Sequence, residues 1–177
     1  MILYSRHLLK LGIPIPDDAV IRINIAWIPN MLTLISALET TNHEVFIDYP
    51  LGRTKPPTVQ LSMIDVIRTV FTEHSKIGYL AISNAEAQKD MQKIKNMLPP
   101  GITLVPKIET AKGINNLETI VRGAYSNTIM FDSEDLFTNL GCNVEAFEEA
   151  VRALKAKVKK LNINMLQLYG VVFSDMP

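Results

Sequence analysis

The sequence is poor in the residues that cross-link small proteins or hold soft metals: in 177 residues there is one cysteine, Cys142, and there are three histidines, His7, His43 and His74. A single thiol excludes an internal disulfide framework, and no Cys/His spacing suits a zinc site. The histidines lie far apart and read as ordinary surface or turn residues. Cys142 follows Gly141 just ahead of a helix start and reads as a small residue beside a cap rather than a reactive thiol. Net charge is missing too, because 18 basic side chains balance 18 acidic ones. That balance argues against broad binding along a nucleic acid backbone. The densest basic run, Arg152, Lys155, Lys157, Lys159 and Lys160, recurs at helical spacing and reads as a solvated helix face. No apolar run approaches the roughly 18 residues that span a bilayer, and no charged-then-apolar leader opens the sequence. A reducing, cytoplasmic home is expected, with neither nucleic acid nor membrane as partner.

What is present is an apolar fraction of 47%, ample for a real core, arranged in a repeating pattern. A short β-branched run ends in a polar residue and is followed by a longer amphipathic stretch. Six runs predict strands: Val20 to Ile28, Glu44 to Tyr49, Ile77 to Ser83, Ile102 to Glu109, Thr128 to Asp132 and Met165 to Phe173. Helices are predicted between them at Asn30 to Thr40, Gln60 to His74, Ala85 to Met97, Ile114 to Tyr125 and Val144 to Leu161. Asn143 is placed to cap the last of these, and Trp27 and Tyr79 sit in apolar runs as core candidates. Strict alternation of strand and helix implies parallel strands joined by right-handed crossovers.

The polar residues that close the runs decide between architectures. Asp48, Ser83 and Asn84, Glu109, Asp132 and Asp135, then Ser174 and Asp175 each follow an apolar run directly. A barrel gathers such positions on one rim, whereas a doubly wound sheet uses only those near its switch point. The fold class expected is therefore α/β, a parallel (β/α) TIM-barrel-like domain over residues 1–177. It is incomplete, since six of about eight strands are visible. Met1 to Ala19 offers a helix or an edge strand, and Pro50 to Thr58 reads as a rim loop. An open parallel edge is an aggregation hazard, so a homo-oligomer that covers it is expected.

Two stretches carry chemistry. In VPKIET, Lys107 and Glu109 are two apart on one strand and so face the same side, towards the barrel interior. Charged residues are rarely buried unless paired or reactive. In IMFDSED, Asp132, Glu134 and Asp135 end the next strand; one of them beside Glu109 would offer the hard oxygen ligands that magnesium prefers. Asp132 also reads as a turn cap, and Glu134 as solvated.

The run VPKIETAKGINNLETIVRGAYSNTIMFDSEDL, Val105 to Leu136, resembles the corresponding stretch of the pyruvate kinase family. RINIA, from Arg22, and FIDYPLGRTK, from Phe46, are similar to that family's arginine-asparagine strand and its aspartate-glycine-arginine loop. The resemblance implies that Glu109 and Asp135 bind Mg2+ or Mn2+ and that Lys107 stabilises the enolate of pyruvate. It also implies that Arg22 faces a small 2-oxo acid or phosphoenolpyruvate, and that Asn24 and Asp48, with Arg53 nearby, help hold K+. The family's lid and C-terminal domains have no counterpart here, Ser133 and Glu134 stand where it has arginine and glycine, and its threonine proton donor falls at best to Ser174. Those departures lean towards sister families of the superfamily, the HpcH/HpaI aldolases and citrate lyase beta subunits, whose metal loops resemble SEDLFTNLG, Ser133 to Gly141. Three readings follow: a stripped pyruvate kinase-like barrel with a metal and pyruvate or phosphoenolpyruvate site, a metal-dependent carbon-carbon lyase, or a non-catalytic relative used for binding or assembly.

Overall fold

Seven parallel strands lie side by side in chain order in the computed structural model, which describes residues 1, 3–9, 14–53 and 56–167. They are β1 (Leu3–Ser5), β2 (Val20–Asn24), β3 (Glu44–Tyr49), β4 (Ile77–Ile82), β5 (Thr103–Ile108), β6 (Thr128–Phe131) and β7 (Asn164–Gln167). The sheet curls into part of a (β/α) barrel, the incomplete TIM-barrel-like class expected from the alternation. Among the described residues the count is seven rather than six. The extra strand, β1, is three residues long and half-buried throughout, too short for periodicity to show.

Helices occupy the crossovers: α1 (Arg6–Leu9), α2 (Met31–Glu39), α3 (Met63–Val66), α4 (Gln88–Lys95), α5 (Ala111–Asn115), α6 (Leu117–Ala124), α7 (Ser133–Asn139) and α8 (Val144–Lys160). Local chemistry sets their starts. Asn30, Ser62, Thr110, Asp132 and Asn143 each accept a hydrogen bond from an amide in the first turn of α2, α3, α5, α7 and α8 respectively. After α3 the chain widens into a π-helical turn, Ile67–Phe71. The helix expected over Ile114 to Tyr125 is two helices broken at Asn116, and the expected metal loop Ser133 to Gly141 is mostly helix α7. The predicted strand from Val20 stops at Asn24, whose side chain accepts from the Ala26 amide and opens a 3-10 turn, Ile25–Trp27. Trp27 is accordingly not core: it is 50% exposed and stands edge-on to His7. Beyond Gln167, the predicted strand to Phe173 and the residues Ser174 and Asp175 lie outside the described residues.

The two faces of the sheet bury different things. The outer face, with Ile21, Ile23, Val45, Ile47, Leu80, Ile82, Leu104 and Ile108, packs against the helices in the larger apolar core. Gly123 permits one close approach there, since a β-carbon at this position would lie 2.3 Å from the Gln88 carbonyl oxygen at the start of α4. The inner face carries a smaller apolar floor of Val20, Phe46, Ala81, Val105, Met130 and Leu166, with Tyr79 stacked on Phe46. Tyr79 is only half-buried, at the edge of this floor.

Candidate active site

Strand periodicity builds the site on that floor. Successive side chains on a strand alternate in direction, so the residue two beyond each floor residue stands on the same face, one step nearer the carboxyl rim. Two beyond Val20 is Arg22, beyond Phe46 is Asp48, beyond Ala81 is Ser83, beyond Val105 is Lys107 and then Glu109, and beyond Met130 is Asp132. The inward rows of β2 to β6 thus change from apolar to polar at their carboxyl ends. The register of the sheet brings together the rim residues expected from Asp48 to Asp132, while Ser174 and Asp175 lie outside the described residues.

At the centre, the Lys107 Nζ lies 2.8 Å from Glu109 Oε1 and 3.6 Å from Asp48 Oδ1, and it donates to Ser83 Oγ at 3.1 Å. Lys107 and Glu109 are only 4% and 3% exposed, so this charge cluster is out of bulk water. Asp48 is fully buried and accepts from Arg22 Nε at 3.0 Å and from the Arg22 terminal nitrogen, both on Oδ2, while its Oδ1 has no hydrogen bond. Glu109 Oε2 accepts from the Asn84 amide at 2.8 Å, and Ser83 Oγ lies 3.4 Å from Oε1.

The electrostatics follow from burial set against neighbours. For Asp48, burial pushes the carboxyl up, but Lys107 and Arg22 outweigh it and hold the group below its usual range. For Lys107, burial pulls the ammonium down, but Asp48 and Glu109 outweigh it and hold the group above its usual value. In Glu109 burial wins over Lys107 and the Asn84 amide, so its carboxyl is pushed up. Glu109 is therefore a buried acid whose charge its neighbours compensate only in part.

Carboxylate oxygens of Glu109, Asp132 and Asp135 all lie within 4.8 Å of one another. Three hard oxygen donors at that spacing fit an octahedral ion such as Mg2+, with water or substrate oxygens completing the shell. The sequence offered Asp132 both as a turn cap and as one of three carboxylates that could stand beside Glu109. It does both jobs, capping α7 through the Asp135 amide at 3.3 Å while standing on the inward row above Met130. Glu134 is exposed, as expected.

The remaining sequence candidates lie elsewhere or are differently engaged. Asn24 pairs in register with Asp48, but its side-chain oxygen serves the Ala26 amide. Arg53, in the rim loop, donates to the carbonyls of Pro57 at 2.9 Å and Pro56 at 3.3 Å. The neighbouring Thr54 and Lys55 lie outside the described residues. Ser83 and Asn84 were marked only as polar strand ends; their contacts with Lys107 and Glu109 depend on β4 lying beside β5.

No protein-family model matches the sequence, and no curated protein does. Solved structures do resemble it. A structure described as an HpcH/HpaI aldolase/citrate lyase family protein from Burkholderia cenocepacia J2315 superposes with a TM-score of 0.63 at 14% identity, over 93% of this chain and 74% of the other. CitE from Mycobacterium tuberculosis, in complex with magnesium, acetoacetate and coenzyme A, gives 0.61 at 12% identity, over 98% and 66%. Citrate synthase SbnG gives 0.60 at 15% identity, over 98% and 77%. At such identities the likeness establishes the fold alone, a (β/α) barrel-like fold shared with these structures; a pyruvate kinase barrel is not shown. Among the described residues no helix is long and apolar enough to cross a membrane.

Proposed function

We propose that the chain is a divalent-metal-dependent carbon-carbon lyase acting on a small 2-oxo acid by way of its enolate. The observation that carries this reading is the convergence of Glu109, Asp132 and Asp135 beside the buried Lys107 ammonium. In this reading the three carboxylates hold Mg2+ or Mn2+, and the ion supplies a Lewis acid for the carboxylate and carbonyl oxygens of the substrate. Lys107, preorganised by Ser83 and Asp48, directs its positive charge at the oxygen on which the enolate charge grows. Arg22 sets the position of Asp48 and, through it, of Lys107. Cleavage of a 4-hydroxy-2-oxo acid breaks the bond between carbons 3 and 4. The hydroxyl proton leaves to a base, an aldehyde departs, and the electron pair remains as the enolate, which is protonated to pyruvate.

One consideration favours this over phosphoryl transfer from phosphoenolpyruvate: the similar structures include one holding magnesium and acetoacetate, a small 3-oxo acid. K+ binding at Asn24 and Asp48 has less to recommend it, since Asp48 already faces two cations. The test is direct. Mg2+ or Mn2+, with oxalate as a mimic of the pyruvate enolate, raises the Tm of the wild-type protein, and pyruvate is released from a 4-hydroxy-2-oxo acid by the wild type and not by Glu109→Gln. Absence of any thermal shift with ion and oxalate together overturns the metal site.

A further inference from the structure

Asn84 touches both Glu109 and the rim loop that follows β3, and it does so with different groups. Its backbone amide donates to Glu109 Oε2 at 2.8 Å, and its side-chain Nδ2 donates to the Leu51 carbonyl at 2.9 Å. Asn84 holds a left-handed backbone, φ 54°, two residues past the end of β4, at the point where its amide meets the carboxylate. Asparagine tolerates that region far better than most residues with a β-carbon. The loop it grips is short and folded on itself: the Leu51 amide donates to the Tyr49 carbonyl, the Arg53 amide to the Pro50 carbonyl, and Gly52 turns at φ 75° against the Asn84 side chain. On its other flank, the Ser83 amide donates to the Tyr49 carbonyl and the Ala85 amide to the Lys107 carbonyl, so Asn84 is anchored to β3 and β5 at once.

We infer that Asn84 is a positioning residue that couples the rim loop at 49–53 to the orientation of Glu109. The inference rests on the reading of Glu109 as a metal ligand. Partners one step removed from a metal orient its ligands, and their loss commonly weakens metal binding by about tenfold or more. Here the coupling runs through one residue. Whatever moves the loop, including a substrate entering over it, pulls on the amide that holds Glu109, and an ion that fixes Glu109 steadies the loop in return.

Glycine and alanine separate the two contacts. Asn84→Gly accepts the left-handed backbone and keeps the amide aimed at Glu109, but releases Leu51. Asn84→Ala releases Leu51 and also disfavours the left-handed backbone. The measurements are Mn2+ affinity by isothermal titration calorimetry and amide hydrogen exchange of the 49–53 segment with and without Mn2+. In the wild type, Mn2+ slows exchange of the loop. In Asn84→Gly, Mn2+ affinity stays near wild type, while the loop exchanges faster and no longer responds to the ion. In Asn84→Ala, affinity falls by about tenfold. Should the alanine variant not fold, Asn84→Ser makes the same comparison. Wild-type binding of Mn2+ with affinity unchanged in the alanine or serine variant, or with a loop that ignores the ion, overturns this inference alone. Wild-type protein that binds no Mn2+ overturns the metal reading as well.

Discussion

The Lys107 ammonium and the Glu109 carboxylate, two residues apart on β5, meet at 2.8 Å inside the barrel with almost no exposure to water. Taking two charges out of water is costly, and the cost is offset only while the partners stay together. Lys107→Met should therefore destabilise the protein by about 3 kcal/mol or more, because it strands Glu109 and removes one of the two cations that face Asp48. Adding Glu109→Gln should cost less than a second independent loss, since the stranded charge is gone. Urea denaturation of both single variants and the double variant checks this; additive losses would show that the pair is not coupled.

The same burial sets the response to pH. Asp48 has its folded pKa held below the unfolded value, so its contribution to stability is present above about pH 4 and lost as the pH falls through the folded value. Lys107 has its folded pKa raised, so its contribution is present below about pH 10 and lost as the pH rises through the folded value. Glu109 acts in the opposite sense to Asp48. Its folded pKa is raised, so its ionisation burdens the native state near neutral pH, and that burden lifts as the pH falls. Unfolding free energy should rise as the pH falls through the folded value of Glu109 and drop below about pH 4 as Asp48 takes up its proton. Glu109→Gln should flatten the first limb, and Asp48→Asn should weaken the second, as read from denaturation midpoints across pH.

Asp132 permits its two roles to be divided. Asp132→Asn keeps a side-chain oxygen for the Asp135 amide and so keeps the cap of α7, but it removes a charged donor from the metal cluster. Its Tm without metal should match the wild type while the Mg2+-induced rise shrinks. Asp132→Ala should lose the cap as well, about 1 kcal/mol. Equal Mg2+ responses in wild type and Asp132→Asn would remove Asp132 from the ligand set.

Gly123 tests the helix layer away from the site. A β-carbon there would meet the Gln88 carbonyl at 2.3 Å, and backbone has to move to admit it. Gly123→Ala should destabilise by about 1 to 3 kcal/mol despite the better helix propensity of alanine. Its Mn2+ affinity should be unchanged, as measured by calorimetry.

Among the described residues, β1 and β7 each pair on one side only. If a second copy covers such an edge, sedimentation at micromolar concentration should give a species heavier than the monomer, and a lone 19.8 kDa species would dismiss that expectation.

By itself, the sequence determined the alternation of strand and helix, the parallel sheet and the inward pairing of Lys107 with Glu109, because these follow from periodicity along the chain, a local property. It also marked Glu109 and Asp135 through their resemblance to known metal loops. It offered Met1 to Ala19 as a helix or an edge strand without placing β1, which is too short to carry a period, and it did not reveal the exposure of Trp27, which depends on Asn24 capping a turn rather than continuing a strand. Only the tertiary structure decided that Asp48 is shared between Arg22 and Lys107, that Asp132 joins Glu109 and Asp135, and that Asn84 links Glu109 to the rim loop. Those contacts run between neighbouring strands and depend on register and curl. They come from packing residues distant in the chain, which no spacing within a single strand encodes.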